Sequence, residues 1–457
     1  PRAGFVFRAS YAYEQKYLLE VSGRYDGSYR FSPETRWSLF PAASIGWRIS
    51  EENFFKEAIP FVTNLKLRAS AGQLGNDAAS PEFAYLRTMA WVSEDPSVVI
   101  GNIPQKALMT SGVPSNNTWE VTTTYNAGFD LLMWNGLLGM EFDWFYKLTT
   151  DILRSQAGIW PPSVGGNFPS VINAGKVDAR GFDLVLTHEN KINQFNYGAR
   201  LSLNWARNRI LNIDDSPNIP DYLKRNGLQV GMKDGFVSLG LFKSDEEAAI
   251  YPTVREGAKG GDIRYKDLNG DGKITYDQDR AWIAKSNIPE LMGGLDLHAS
   301  WKGFDFSILF TGAAFCDIAL MGYYEGIGWD NTEFTRPFYH DGNSPLSLVE
   351  NAWTYENPDA KFPRLSTQTR WNNNWASTFW IVDGSYLRIK NLQIGYFLPQ
   401  KFVNTIGMKS ARVSVSGSNL YTWANKRLNG LDPEAPDVCN GYYPQQKTYS
   451  FGINLTF

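Results

Sequence analysis

Apolar and polar side chains alternate along most of this chain with a period of two. In Tyr449–Phe457, the residues Tyr449, Phe451, Ile453, Leu455 and Phe457 share one parity, while Ser450, Gly452, Asn454 and Thr456 share the other. A strand turns successive side chains to opposite faces, so one face of this segment is wholly apolar and the other polar or small. The same pattern runs through Phe5–Tyr13, Leu19–Tyr25, Trp37–Ile49, Leu65–Ala71, Tyr125–Leu131, Leu138–Leu148, Phe182–His188 and Phe195–Trp205. Beyond a long gap it returns in Leu295–Trp301, Phe304–Phe310, Tyr386–Leu398 and Ala411–Gly417. Together these make about thirteen strands. Within Tyr386–Leu398 the parity flips near Asn391, which predicts a β-bulge there.

A strand of this kind needs an apolar surrounding on one side only. A second sheet supplies it in a sandwich, and lipid supplies it in an outer-membrane barrel with water inside. The connections separate the two. Tight turns are expected at Glu14–Lys16, Trp134–Gly136, Glu189–Asn193 and Lys302–Gly303, and somewhat longer ones with a helical turn at Ser50–Thr63 and Pro399–Lys409. They alternate with long connections at Leu74–Thr118, Thr150–Gly175, Arg207–Glu290, Thr311–Asp383 and Tyr421–Gln445. Putting every long loop at one end is the habit of an outer-membrane barrel, with turns in the periplasm and loops outside. Polar residues in mid-strand agree: Arg200, Asn204, Glu141, Asp143 and Asp305 are expected to face a watery lumen, opposite Phe142, Leu201, Leu203, Phe306, Phe451 and Ile453 on the lipid side. The expected class is therefore all-β, a transmembrane antiparallel barrel. An odd count of about thirteen departs from the even number in bacterial single-chain barrels, so the sheet in this chain is expected to be incomplete.

Composition narrows the picture at a few points. The chain has 457 residues, 43% apolar, and a mean hydropathy of −0.33. No run of about twenty apolar residues occurs, which excludes transmembrane helices, whereas alternation hides a barrel from hydropathy. The aromatic share of 15% suits interfacial girdles and also sugar-binding surfaces. A net charge of −3 argues against a nucleic-acid partner. Cys316 and Cys439 lie in no metal or redox spacing. His188, His298 and His340 share no element, and no Gly-x-Ser-x-Gly elbow occurs, so no catalytic set and no organic cofactor is expected. Gly257, Gly260 and Gly261 follow no phosphate-loop pattern and read as a flexible loop.

With strands and loops placed, several stretches resemble SusC/RagA-type TonB-dependent transporters. They are Ser22–Ser28 with Arg30-Phe31, Phe40-Pro41, Ile45-Gly46-Trp47, Leu67–Gly72 with Gly75-Asn76, Trp119-Glu120 with Thr122-Thr123, and Tyr146-Lys147 with Thr149-Thr150-Asp151. Further on come Gly261-Asp262-Ile263, Lys266–Gly272, Asp383–Arg388 with Asn391-Leu392, and Tyr443-Pro444 through the terminal aromatic Phe457. The resemblance implies that residues 1–457 are the carboxy-terminal portion of a barrel of about 22 strands. It places the signal peptide, plug domain, first strands and TonB-contacting segment outside this sequence. It further implies residence in the bacterial outer membrane, a SusD-like surface lipoprotein seated on the long loops, the TonB complex acting through the missing part, and oligosaccharides or peptides as substrates. Two other readings remain open on the residues alone, a passive porin-like channel and a secreted all-β glycan-binding protein.

Two loops carry candidate chemistry. Asp267-Leu268-Asn269-Gly270-Asp271-Gly272-Lys273-Ile274 places oxygen ligands at positions one, three and five of a calcium loop, a glycine at six, and the Lys273 carbonyl at seven. Position twelve is Gln278, flanked by Asp277 and Asp279. By the resemblance Asp279, followed by Arg280, is the expected closing acid and Asp277 the alternative; without metal the same residues make a plain turn cluster. The loop Thr311–Asp383 collects Tyr323, Tyr324, Trp329, Asp330, Trp353, Trp371, Trp375 and Trp380 with Asn372, Asn373 and Asn374. Flat aromatics beside amides suit stacking on sugars, gripping a partner, or packing a large loop onto itself.

Overall fold

A computed structural model describes residues 2–457 apart from 79, 81, 84, 93–98, 101–102, 105–106, 113–115, 156–170, 214, 216–218, 255, 321–345, 366–371, 374, 406, 429–430 and 435–444. Thirteen strands make one antiparallel sheet: β1 (Arg2–Tyr13), β2 (Tyr17–Ser28), β3 (Trp37–Arg48), β4 (Val62–Asn76), β5 (Glu120–Met133), β6 (Leu138–Ser155), β7 (Val171–Ile192), β8 (Phe195–Asn212), β9 (Leu291–Trp301), β10 (Phe304–Ala314), β11 (Tyr386–Phe397), β12 (Ser410–Ala424) and β13 (Thr448–Thr456). Each pairs with its neighbours in chain order. The all-β expectation and the strand count hold. Among the described residues no helix is long and apolar enough to cross a membrane.

Several strands run well past their alternating stretch. The alternation in Phe182–His188 lies inside a 22-residue β7, and that in Leu138–Leu148 inside an 18-residue β6. Only the part of a strand facing two different solvents needs two different faces. Beyond it, at the long-loop end, both faces can be polar while backbone pairing continues.

The short connections follow from residues that accept left-handed backbone. Lys302 (φ 46°) and Gly303 (φ 91°) form a two-residue hairpin loop, the geometry that matches strand twist. Between β7 and β8 the expected turn at Glu189–Asn193 is corrected: the strand continues to Ile192, and Asn193 (φ 54°) opens the turn. Glu189 and Asn190 are polar because they sit at a strand end, and their polarity imitated a turn. The two longer connections hold the expected helical turns, Ile49–Glu51 with α1 (Asn53–Ala58), and α2 (Gln400–Thr405). The bulge in β11 is present. Pairing slips between Leu309 and Phe310 on the β10 side, leaving Lys390 as the extra residue, and between Ile389 and Asn391 on the β12 side, where Asn419 and Leu420 stand opposite Lys390.

Contacts divide the chain into two compact units, residues 1–188, 205–219 and 224–228, and residues 189–204, 220–223 and 229–457. In the first unit the apolar face carries two aromatic bands. Phe5, Tyr25 and Trp37 meet at the long-loop end, with Tyr25–Trp37 centroids 5.1 Å apart. Tyr13, Tyr17 and Trp47 meet at the turn end, stacked at 6.4 Å. Trp37 and Trp47 lie on one strand, roughly 33 Å apart at about 3.3 Å per residue. Strand tilts of roughly 40° shorten that to roughly 25 Å across, the height of the apolar band on outer-membrane barrels. Phe129, Phe142, Phe182 and Trp205 continue the apolar face as a ladder over β5–β8, with centroids 5.8–6.1 Å apart. The opposite face holds charge: Arg68 lies 2.8 Å from Asp130 and 2.7 Å from Asp143.

In the second unit Phe306, Phe451 and Ile453 are exposed on the apolar parity, while Asp305 pairs with Arg412 on the polar one. The core of this unit lies in its loops, where Phe236, Ile263, Tyr265, Ile274, Ile318, Leu320, Trp380, Val382 and Leu428 pack together.

Candidate functional site

The long loops are anchored on the polar side of the strands that launch them. In the first unit Phe40 points inward from β3 and packs with Phe31 and Trp119, both buried. Gly75 of β4 makes room, since a Cβ there would lie 2.0 Å from Phe40 Cζ. Trp119 Nε1–H donates to the Arg36 carbonyl at 3.1 Å. Asn76 Nδ2 donates to Glu120 Oε2 at 2.8 Å, and the Leu153 amide donates to Glu120 Oε1 at 2.9 Å. The stretches Arg30-Phe31, Phe40-Pro41, Gly75-Asn76 and Trp119-Glu120 thus meet in one loop-root cluster.

In the second unit the long connections fold as a small body. Three two-stranded sheets frame it, Lys233–Phe236 with Arg280–Ala284, Ser238–Leu241 with Ile263–Tyr265, and Asp317–Ala319 with Ile381–Asp383. Asp262 is buried at its centre. Its carboxylate takes Arg364 Nε–H at 2.9 Å, Asn373 Nδ2–H at 3.1 Å and the Lys259 amide at 3.0 Å. Asn373 Oδ1 accepts from the Ile263 amide at 2.8 Å, and Asn372 Nδ2 donates to the Ile263 carbonyl at 2.7 Å. These two asparagines therefore knit the loop body together, Asn372 through the Ile263 carbonyl and Asn373 through the Ile263 amide and the Asp262 carboxylate.

Of the aromatic set, Trp353 and Trp380 are buried, at 4% and 2% exposure. Trp380 Nε1–H donates to the Asn373 carbonyl at 2.9 Å. Trp353 lies over Gly260 and Gly261, where an added Cβ would come within 2.8 and 2.6 Å of the indole. Those glycines, read from sequence as a flexible loop, are the seat of a tryptophan. Trp375 is half-buried against Phe236 and Tyr276. Tyr323, Tyr324, Trp329, Asp330, Trp371, Asn374 and Cys439 lie outside the described residues. Cys316 is buried and free, and burial pushes its thiol up to about 11.

The Asp267 loop is closed by hydrogen bonds. Asp267 accepts from the Gly270 and Gly272 amides at 2.7 and 2.8 Å, Asn269 Oδ1 from the Asp271 amide at 3.0 Å, and Asp271 Oδ1 from the Lys273 amide at 2.8 Å. Asp279 is fully buried and bridges the Leu268 and Thr275 amides at 2.9 and 2.7 Å, whereas Asp277 and Gln278 are exposed. The oxygens at positions one, three and five thus accept from the loop's own amides. Among the described residues no three His, Cys, Asp or Glu side chains converge; the other candidate ligands of this loop are the Asn269 side chain and the Lys273 carbonyl.

Sequence reasoning placed Arg388 in the stretch Asp383–Arg388 but missed its role. Its side chain is 2% exposed on the polar face of β11, 3.0 Å from Glu434 Oε2 and 2.5 Å from Asp432 Oδ1, with Thr422 Oγ1 accepting at 2.9 Å. Tyr386 O–H donates to Glu434 at 2.7 Å and Gln445 Nε2–H at 2.8 Å. The segment Asp432–Glu434 is thereby latched to the wall. Burial opposes ionisation of Glu434, but these donors and the Arg388 charge outweigh it and hold the carboxyl below its ordinary range. Asp245, which opens the helix Asp245–Ile250, is likewise held low by the Gly260 amide. Its place in Asp383–Arg388 did not reveal its partners, because its acids lie more than forty residues away.

A two-faced antiparallel sheet with anchored long loops matches one known family. The sequence profile described as TonB dependent receptor-like, beta-barrel covers residues 2–420. The chain belongs to this family of outer-membrane receptors. It is 32% identical to TonB-dependent receptor P26 of Formosa agariphila, over 100% of this chain and 46% of that protein. It is 26% identical to TonB-dependent receptor SusC of Bacteroides thetaiotaomicron, over 98% of this chain and 43% of SusC. Among solved structures the RagAB peptide importer in its open-open state superposes with a TM-score of 0.71 at 23% identity, over 100% of this chain and 47% of that one. That likeness bears on fold. The chain spans about half the length of the curated relatives it matches. The SusC/RagA resemblance read from the motifs is met by these comparisons.

Proposed function

We propose that this chain forms the carboxy-terminal part of the barrel of an energised importer of the SusC/RagA type, which carries oligosaccharides or peptides inward across the outer membrane. The observation that carries the reading is the division of the sheet into an apolar face, bounded by aromatic bands roughly 25 Å apart, and a polar face covered with ion pairs. Such a wall separates lipid from a wet passage. The remainder of the protein supplies the other strands, the plug and the TonB contact. The edge strand β1, exposed along its whole length, offers backbone groups to an added strand. The folded loop body of the second unit is the seat of a SusD-like lipoprotein. The likeness to SusC and to RagAB, itself a peptide importer, supports this type.

The test uses the full-length protein in its native membrane. Uptake of labelled oligosaccharides or peptides should stop when the TonB system is removed, and a lipoprotein should co-purify in mild detergent. Uptake that persists without TonB would favour a passive channel instead.

A further inference from the structure

Three glycines on the polar face share one arrangement. Arg68 of β4 and Asp143 of β6 lie on strands that are not neighbours, and Gly128 of β5 stands between them in register with both. Arg68 Nη2 nevertheless reaches Asp143 Oδ2 at 2.7 Å. A Cβ on Gly128 would fall 2.4 Å from Asp143 Oδ1 and 2.3 Å from the Phe142 carbonyl. In β10–β12, Asp305 is in register with Gly395, and Arg412 reaches over from the far side, its Nε 3.0 Å from Asp305 Oδ1. There a Cβ would meet only the pair, Arg412 Nη2 and Asp305 Oδ1 each at 2.4 Å and Asp305 Oδ2 at 2.6 Å. Across β7–β9, His298 Nε2 lies 3.1 Å from Glu189 Oε2, and a Cβ on the intervening Gly198 would meet Glu189 Oε2 at 2.4 Å and His298 Cε1 at 2.5 Å.

Neighbouring strands are about 4.8 Å apart, so these partners sit on backbones roughly 9.6 Å apart. A side chain on the middle strand would stand up from the sheet and block the way. We infer that Gly128, Gly198 and Gly395 are the floors of strand-skipping clasps, retained so that a charge pair can lie flat across the wall and tie alternate strands directly. All three clasps lie in the halves of their strands nearest the short turns. Arg412 and Asp305 form a one-to-one ion pair, Arg68 is shared between Asp143 and Asp130, and His298 adds a charge to its contact with Glu189 only when protonated. The clasps stand on geometry alone and do not depend on the transport reading.

The experiment is thermal unfolding of the full-length protein in detergent, followed by the gel shift between folded and unfolded barrel. Threonine is a better strand former than glycine, so Gly→Thr stabilises wherever there is room. Gly452→Thr on β13 is the control, since a Cβ there meets only Ser414 Oγ at 3.1 Å. Gly395→Thr should lower the melting temperature by several degrees in the native background, and should leave it unchanged or raise it relative to the double variant when combined with Asp305→Ala and Arg412→Ala. Gly198→Thr with and without Glu189→Ala and His298→Ala provides an independent pair should one variant fail to fold. Equal losses with and without the charge pair, or no loss in the native background, would overturn the inference.

Discussion

At the residue scale, the decisive groups are buried ions whose partners are distant in sequence. Asp262 is 1% exposed at its side chain and Arg364 is 15% exposed, a pair 102 residues apart. Removing one member of a buried pair leaves the other charge uncompensated, at about 3–5 kcal/mol. Arg364→Ala is therefore expected to unfold the loop body while leaving the sheet intact. Limited proteolysis should show new cleavage within residues 229–290 and 346–383, with an unchanged barrel core; protection equal to the parent protein would refute the assignment. Burial of this kind was not legible in advance. Asp262 was visible as part of Gly261-Asp262-Ile263, but nothing in its neighbourhood specified Arg364 or Asn373.

At the scale of elements, the latch and the metal-like loop give contrasting predictions. Glu434 titrates below its ordinary value in the folded protein, so its contribution is present above the ordinary carboxylate range and is lost as pH falls through the depressed folded value. The segment around Asp432–Glu434 should stay docked between pH 5 and pH 7, at about neutral and mildly acidic values, and release only in stronger acid. A fluorophore at residue 433 would report this; release on raising pH from 5 to 7 would contradict the latch. The Asp267 loop is held by its own amide hydrogen bonds, so a plain turn cluster should keep its melting behaviour in EDTA, and a drop reversed by calcium would show that an ion closes it. Strands, hairpin turns and the β11 bulge were legible because each has a local cause: a period of two, a left-handed Asn or Gly, a parity flip. The turn at Asn193 was misplaced where Glu189 and Asn190 are polar for a different reason. The glycine clasps were invisible, since a glycine that accommodates a side chain two strands away carries no local mark.

At the scale of the whole molecule, the proposed import requires a wall with lipid on one side and a wet lumen on the other. The most direct measurement is spin-label accessibility along residues 139–146 of β6, one label at a time, in the full-length protein reconstituted in bilayers. Oxygen should collide preferentially with labels at Met140, Phe142, Trp144 and Tyr146. Labels at Gly139, Glu141, Asp143 and Phe145 should show little oxygen contact and, where solvent reaches them, contact with a water-soluble nickel chelate. Alternation with that parity is the predicted result; no alternation, or the opposite parity, would contradict the barrel wall itself.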